Sequence, residues 1–333
     1  MSSSTGQLTP EQERAVARRG EPLLVSAGAG SGKTSVLVER FVRTVCEDGV
    51  SPARILAITF TDRAAGELRE RVRARLLERA EREAARDTEA AFVCTFHGFC
   101  TRLLRSHALL VGLDARFQIL DEPLAARLRE RAFAVALAEF VEGERAEAVD
   151  LVAAYGADRL QSTLWRAYAQ LRSRGQRRPR LPAIASGERE LARSLAERAP
   201  DGAGTGRRDD AEACASVDAE AATACVSLDE LLAHCGRSYE ALKRARGAVD
   251  FDDLELLALE LLEGQESVRA AWSERFEAVM VDEFQDTNPR QLAILRALDR
   301  GSLFTVGDEL QSIYGFRDAD VRLFRARRAE LAR

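Results

Sequence analysis

Ala27-Gly28-Ala29-Gly30-Ser31-Gly32-Lys33-Thr34 follows an apolar run, Pro22 to Val25, and precedes a helical pattern from Ser35 to Val45. Strand, glycine loop and helix in that order make a phosphate cradle. The glycines let successive backbone N–H groups turn inward, and the helix N-terminus favours negative charge. Lys33 then stands as a compact charge against the β- and γ-phosphates, and the Thr34 hydroxyl is a ligand for Mg²⁺. The first glycine of the usual G-x-x-x-x-G-K-[ST] pattern is Ala27 here. Far downstream, Val279-Met280-Val281-Asp282-Glu283-Phe284-Gln285-Asp286 reads as a second apolar strand that ends in two carboxylates. Asp282 suits the Mg²⁺ shell, and Glu283 suits orientation or deprotonation of the attacking water. The pair of segments predicts a chain that binds and splits ATP, with ATP and Mg²⁺ as cofactors. Lysine usage agrees: only Lys33 and Lys243 occur, so one of two lysines sits where an ammonium serves better than a planar fork.

The bulk properties set wide bounds. A chain of 333 residues with 46% apolar content has room for two domains, or for one core with a large insertion. Its net charge of −5 does not announce a nucleic-acid binder, though a basic groove can be local. The polar opening, Met1 to Gln12, and the lack of a long apolar run predict a cytoplasmic protein with no membrane span. The six cysteines form no CxxC pair, as expected of reduced thiols. Cys94, His97 and Cys100 follow one another at steps of three, but no fourth zinc ligand accompanies them.

Five apolar runs predict buried parallel strands: Pro22–Ala27, Ile55–Phe60, Phe92–Phe96, Ala278–Glu283 and Leu303–Asp308. Each stops at residues with chemical character, and open α/β sheets gather their sites just beyond the carboxyl ends of the strands. The stretch from Pro123 to Leu262 is too long for a connection and reads as an inserted helical subdomain. The expected organisation is therefore 1–120 and 263–333 as two parts of one P-loop motor domain, with 121–262 as the insertion. Within it, Ala199 to Ser227 is poor in large apolar residues and is expected to be a mobile loop. Glu67 to Arg86 is expected to be one charged helix with pairs such as Glu67–Arg71 and Glu78–Arg82. Asp250, Asp252 and Asp253 invite a nuclease reading, but they also resemble a helix-capping start.

In order along the chain, Leu8-Thr9-Pro10-Glu11-Gln12, the Ala27–Thr34 loop, Ile58-Thr59-Phe60-Thr61, Thr95-Phe96-His97-Gly98-Phe99, Val281-Asp282-Glu283-Phe284-Gln285-Asp286, and Val306-Gly307-Asp308 with Gln311-Ser312-Ile313-Tyr314-Gly315-Phe316-Arg317 resemble the amino-terminal motifs of the UvrD/Rep/PcrA helicases of superfamily 1. The resemblance implies an α/β fold: a RecA-like P-loop NTPase parallel sheet with a large inserted α-helical subdomain. It implies a DNA helicase of 3′ to 5′ polarity, in repair or recombination, that acts on single- and double-stranded DNA.

Residue by residue, the resemblance implies that Gln12 reads the adenine edge, where an amide offers both donor and acceptor. Gln311 resembles the γ-phosphate sensor. Phe60, Tyr314 and Phe316 resemble the aromatics on which bases stack, each base worth ~1–3 kcal/mol whatever its identity. Arg317 and His97 resemble residues that contact the backbone or couple the two sites. Phe316 stands where the family usually has Trp, Asp318 where Gly is usual, and Asp62-Arg63 where Asn-Lys is common. In the family a second motor domain supplies the arginine fingers, a tyrosine against the adenine, and the moving half of the DNA track. No such domain is read between Arg317 and Arg333, so the 333 residues alone are expected to turn over ATP feebly until a partner subunit supplies that domain or it is joined in cis. The alternative is a free-standing, ATP-responsive single-strand DNA-binding module; a small-molecule kinase leaves the aromatic loops unexplained.

Overall fold

The computed structural model describes residues 8–28, 30–143, 146–182, 206–311 and 321–331. The chain divides into two compact units, one made of residues 1–117 and 251–333, the other of 118–250. The strands in chain order are β1 (Leu23–Ser26), β2 (Ile55–Thr59), β3 (Phe92–Thr95), β4 (Gln118–Ile119), β5 (Ala248–Val249), β6 (Ala278–Val281) and β7 (Phe304–Gly307).

In the first unit β1, β7, β6, β2 and β3 lie side by side in that order, all parallel. The register sets Ser26 opposite Gly307, Ile58 opposite Val281 and Thr59 opposite Thr95, so the carboxyl ends of all five strands come level. Every residue of β2, β3 and β7 is buried, which is why these strands read as continuous apolar runs rather than alternating ones. On one face Val36, Phe41 and Val42 of the Lys33–Cys46 helix pack with Leu68 and Val72 against Ala57, Met280 and Val306. The remaining aromatic core joins Phe92 edge-on to Trp272 and Phe276, with Phe99 against Trp272.

Three sequence expectations change here. The Phe251–Gly264 helix packs against the Phe96–Ser106 and Pro289–Leu298 helices, so the second unit closes at Asp250 rather than Leu262. Glu67–Arg86 is two helices, Asp62–Glu78 and Arg82–Asp87, broken at Ala80 in the left-handed region (φ 65°). The break parts Glu78 from Arg82, and Glu78 pairs with Arg75 instead; within the first helix Glu67 pairs with Arg63 rather than Arg71. The stretch expected as a loop over 199–227 is helical from Gly206, within a helix that runs to Arg244. Alanine is the strongest helix former, so an Ala-rich stretch with few large side chains lacks apolar periodicity without lacking helix propensity.

The second unit is helical, with the short parallel pair β4–β5 where the chain enters and leaves. Leu128, Ala132, Phe133, Ala136 and Phe140 of the Glu122–Glu142 helix pack against Leu160, Leu164 and Tyr168 and against Leu231, Leu232 and Tyr239. Lys243, the second lysine, is buried with its ammonium 2.8 Å from Glu240 and 3.0 Å from Asp250. Among the described residues no helix is long and apolar enough to cross a membrane.

Candidate active site

The strand ends become a site because each hands over at once to a helix or a tight turn. Thr61 after β2 and Thr95 at the end of β3 both cap the helix that follows, accepting from Ala64 N (3.1 Å) and Gly98 N (3.1 Å). The Thr95 hydroxyl also reaches Asp62 (3.3 Å), which ties the two strand ends together. Beyond β1 the loop needs Gly30 (φ 72°) and Gly32 (φ 79°) in the left-handed region, and a Cβ on Gly32 would stand 3.0 Å from the Gln12 amide nitrogen. Gln12 is held by its capping box with Thr9 and donates to Ser31 O at 2.8 Å, so its helix docks directly on the loop. Ser31 closes the turn on Gly28 O (2.6 Å). Ala27 N donates to Gly307 O (3.1 Å), an extension of the β1–β7 pairing that a methyl side chain does not disturb. Ala29 lies outside the described residues.

Lys33 opens the helix after the loop and is only 8% exposed, yet its ammonium reaches Gln311 Oε1 at 2.9 Å and Glu283 Oε2 at 3.4 Å. Residues from the two ends of the chain thus meet at one charge. Glu283 follows β6 with left-handed backbone (φ 48°), rare for a side chain with a Cβ, and the turn swings its carboxylate toward Lys33. Asp282 points differently. Burial raises its carboxyl, the neighbouring Glu283 charge adds to that, and the Glu283 N–H bond (3.0 Å) and Lys33 only partly offset them, leaving it at about 6.

Asp282, Glu283, Thr34, Thr59, Phe60 and Gln311 line one cleft of 520 Å³. Thr34 and Asp282 bring a hydroxyl and a carboxylate to it, an oxygen pair that suits Mg²⁺, which takes few protein ligands and keeps waters. The phosphate loop, with two glycines in a conformation that side chains avoid and a buried lysine, likewise fits a triphosphate. Among the described residues no group of three His, Cys, Asp or Glu could hold a metal by itself. Cys94 and Cys100 are buried thiols pushed upward by burial, and His97 turns to Glu255 (3.4 Å) instead.

Phe60 enters the cleft with its ring edge-on to Phe96 (5.9 Å). His97 lies elsewhere on the unit, beside the exposed ring of Phe251 (4.8 Å). Tyr314, Phe316 and Arg317 lie outside the described residues, as does Asp318. The aspartates of the nuclease reading are spoken for: Asp250 pairs with Lys243, Asp252 with Arg290, and Asp253 is buried.

Two residues of the cleft carry no signal in the sequence reading, Gln285 and Arg71. Gln285 has no role in the motif reading, yet its amide donates to Glu283 (2.8 Å) and accepts from Asp308 N (2.9 Å), so it couples the β6 carboxylates to the end of β7. Arg71, on a helix that reads as solvated, lines the cleft and adds positive charge near Asp282.

The UvrD/REP helicase N-terminal domain family matches residues 8–331. The chain belongs to this family. It is 34% identical over 325 residues to "ATP-dependent DNA helicase UvrD1" of Mycobacterium tuberculosis, with 95% of the chain and 34% of that protein covered. Against "ATP-dependent DNA helicase PcrA" of Leuconostoc citreum the identity is 32%, over 95% of the chain and 34% of the relative. "ATP-dependent DNA helicase PcrA" of Staphylococcus epidermidis is 28% identical, with 97% and 36% covered. The chain spans about a third of the length of the curated relatives it matches. The parallel sheet with its phosphate loop is the RecA-like α/β fold that the motifs implied.

Proposed function

We propose that this chain is the amino-terminal ATP-binding portion of a 3′ to 5′ DNA helicase, the part that binds Mg·ATP and one side of a single strand in repair or recombination. The observation that carries this reading is the meeting of Lys33, Glu283 and Gln311 in the cleft that Phe60 also enters. Bound Mg²⁺ neutralises phosphate charge and ATP supplies the transferable phosphoryl group. The chain's own groups do the rest. Backbone N–H groups of Ala27–Thr34 and the Lys33 ammonium hold the β- and γ-phosphates. Thr34 and Asp282 are the protein's metal ligands, and Glu283 orients the attacking water. Lys33 already bonds Gln311, so a γ-phosphate taken up by Lys33 is felt at Gln311 and at the segment that follows it, with Tyr314, Phe316 and Arg317. Phe60 and Phe251, with His97, offer exposed or part-exposed rings for bases, and Arg71 a cation for phosphate. Ala29 and Gln12 complete the nucleotide contacts in this reading. Completion of the motor requires a second motor domain, in the same polypeptide or from a partner subunit, to supply an arginine finger worth ~10³–10⁵ in rate.

The test is DNA-stimulated turnover by the chain joined to its second motor domain. Glu283→Gln should remove the stimulated turnover and spare ATP binding, and Phe60→Ala should weaken oligonucleotide binding about equally for different base compositions. Unchanged turnover in Glu283→Gln would sink the assignment of Glu283, and strand separation by the 333 residues alone would sink the need for a second domain.

A further inference from the structure

The opposite, amino end of the same sheet holds a second cavity, of 360 Å³, lined by Arg40, Arg19, Thr44, Asp48, Met280 and Phe304 among others. Arg40 lies two turns beyond Lys33 on the same helix and is 2% exposed. Its Nη1 donates to Ala15 O (2.7 Å) and its guanidinium sits 4.3 Å above the Phe304 ring. Among the described residues no carboxylate comes within 4.0 Å of it, whereas the other cation of the cavity, Arg19, bonds both oxygens of Asp48 (2.7 and 3.1 Å) and Glu47 (2.6 Å). The rim carboxylate of Glu277 is held by Arg54 (2.7 Å), and Glu21, whose charge also reaches Arg40, by Arg18 (2.7 Å). Burial pulls the Arg40 guanidinium down to about 10, Arg19 adds to that by repulsion, and Asp48 and Glu21 oppose it. A buried cation without a counter-ion is costly unless something pairs with it, and none of its nitrogens is both sealed in protein and unbonded, so its remaining N–H groups open onto the cavity.

We propose that this cavity binds a small organic monocarboxylate, its carboxylate on the Arg40 guanidinium and its apolar part beside the half-buried Val50, with the buried Phe304 and Met280 behind. A guanidinium fork matches a planar carboxylate. The cavity's other cation, Arg19, is already bonded to Asp48 and Glu47, so a second negative charge finds no cation of its own, which disfavours a phosphate dianion. The site is separate from the nucleotide cleft and stands whether or not the reading of that cleft holds.

The chain has two methionines, Met1 and Met280, so ¹³C-methyl labelling of methionine places a reporter in the cavity wall with a built-in control. The titrations use the full chain carrying Lys33→Ala, which weakens the phosphate loop as a competing anion site, at constant ionic strength with benzoate, acetate and inorganic phosphate. Benzoate should move the Met280 methyl signal saturably and leave Met1 in place, and Arg40→Lys should raise the half-saturating concentration about tenfold or more. Thr44→Met, which fills the cavity from the same helix, should abolish the saturable shift and serves if Arg40→Lys fails to fold. A Met280 signal that moves only in parallel with Met1, a half-saturation unchanged by both variants, or tighter binding of phosphate than of benzoate would overturn the proposal.

Discussion

Asp282 and Glu255 are both buried carboxylates of the sheet-bearing unit, and their surroundings are opposite. Glu255 sits in a saturated knot: Asn288 (3.0 Å) and Gln291 (2.6 Å) donate amide hydrogens to it, Arg290 lies at 3.1 Å and His97 at 3.4 Å. Burial pushes its carboxyl up, but the His97 bond, the charges of Arg290 and His97 and the Asn288 amide outweigh that and bring it to about 2. Asp282 has only the Glu283 N–H within bonding distance among the described residues, and its carboxyl stands at about 6. The contrast separates structure from chemistry. A carboxylate whose charge is met by protein donors fastens three helices, and one whose charge is left unmet is suited to a cation that the protein does not itself supply.

The largest effect expected from this contrast is on the knot. Glu255→Ala takes from the buried Arg290 one of its carboxylates, with Asp252 still at 2.7 Å, strands the Asn288 and Gln291 amides, and should cost about 3–5 kcal/mol, read by denaturant unfolding. A loss below about 1 kcal/mol would mean that the knot is ornamental. Asp282→Asn should act in the other direction. The folded carboxyl holds its proton up to about pH 6, whereas 3.8 is the ordinary value, so the folded state binds more protons within that window. Wild-type stability therefore falls as pH rises from about 4 to 6, and above pH 6 the asparagine variant should be the more stable by up to about 3 kcal/mol. Equal stability of the two at pH 8 would remove the strained charge from the account.

A smaller effect follows for ligand binding. In the proposed site only an ionised Asp282 would serve Mg²⁺, so Mg²⁺-dependent nucleotide affinity should fall by at most tenfold per unit below about pH 6 and be flat above it. Glu255 should not contribute to that profile, because its stabilising charge is complete above about 4.5 and is lost only as pH falls toward 2. Gly307→Ala sharpens the geometry between the two regions. A Cβ there meets Gln285 Oε1 at 2.5 Å and Phe324 at 2.9 Å, so thermal unfolding should show a loss of about 1–3 kcal/mol, and turnover should fall as the Glu283–Gln285 bond shifts.

The sheet and the phosphate loop were legible because they rest on local rules: buried parallel strands leave uninterrupted apolar runs, and a lysine after glycines has few other uses. The convergence of strand ends followed from topology alone. What stayed hidden depends on tertiary partners. Phe251–Gly264 looks like any amphipathic helix until Glu255 meets Asn288 and Gln291. Gln285 and Arg71 are polar residues whose neighbours, not types, give them work. Gly206–Arg244 was masked by alanine, which propagates helix without marking a face.

In the proposed function Lys33 is the point where nucleotide charge enters the network of Glu283 and Gln311. The most direct measurement is titration of a fluorescent ATP analogue with Mg²⁺ into the wild-type chain and Lys33→Ala, with Glu255→Gln as the comparison at a temperature where all three remain folded. Affinity should be abolished in Lys33→Ala and change less than about threefold in Glu255→Gln; undiminished binding by folded Lys33→Ala would contradict the central claim.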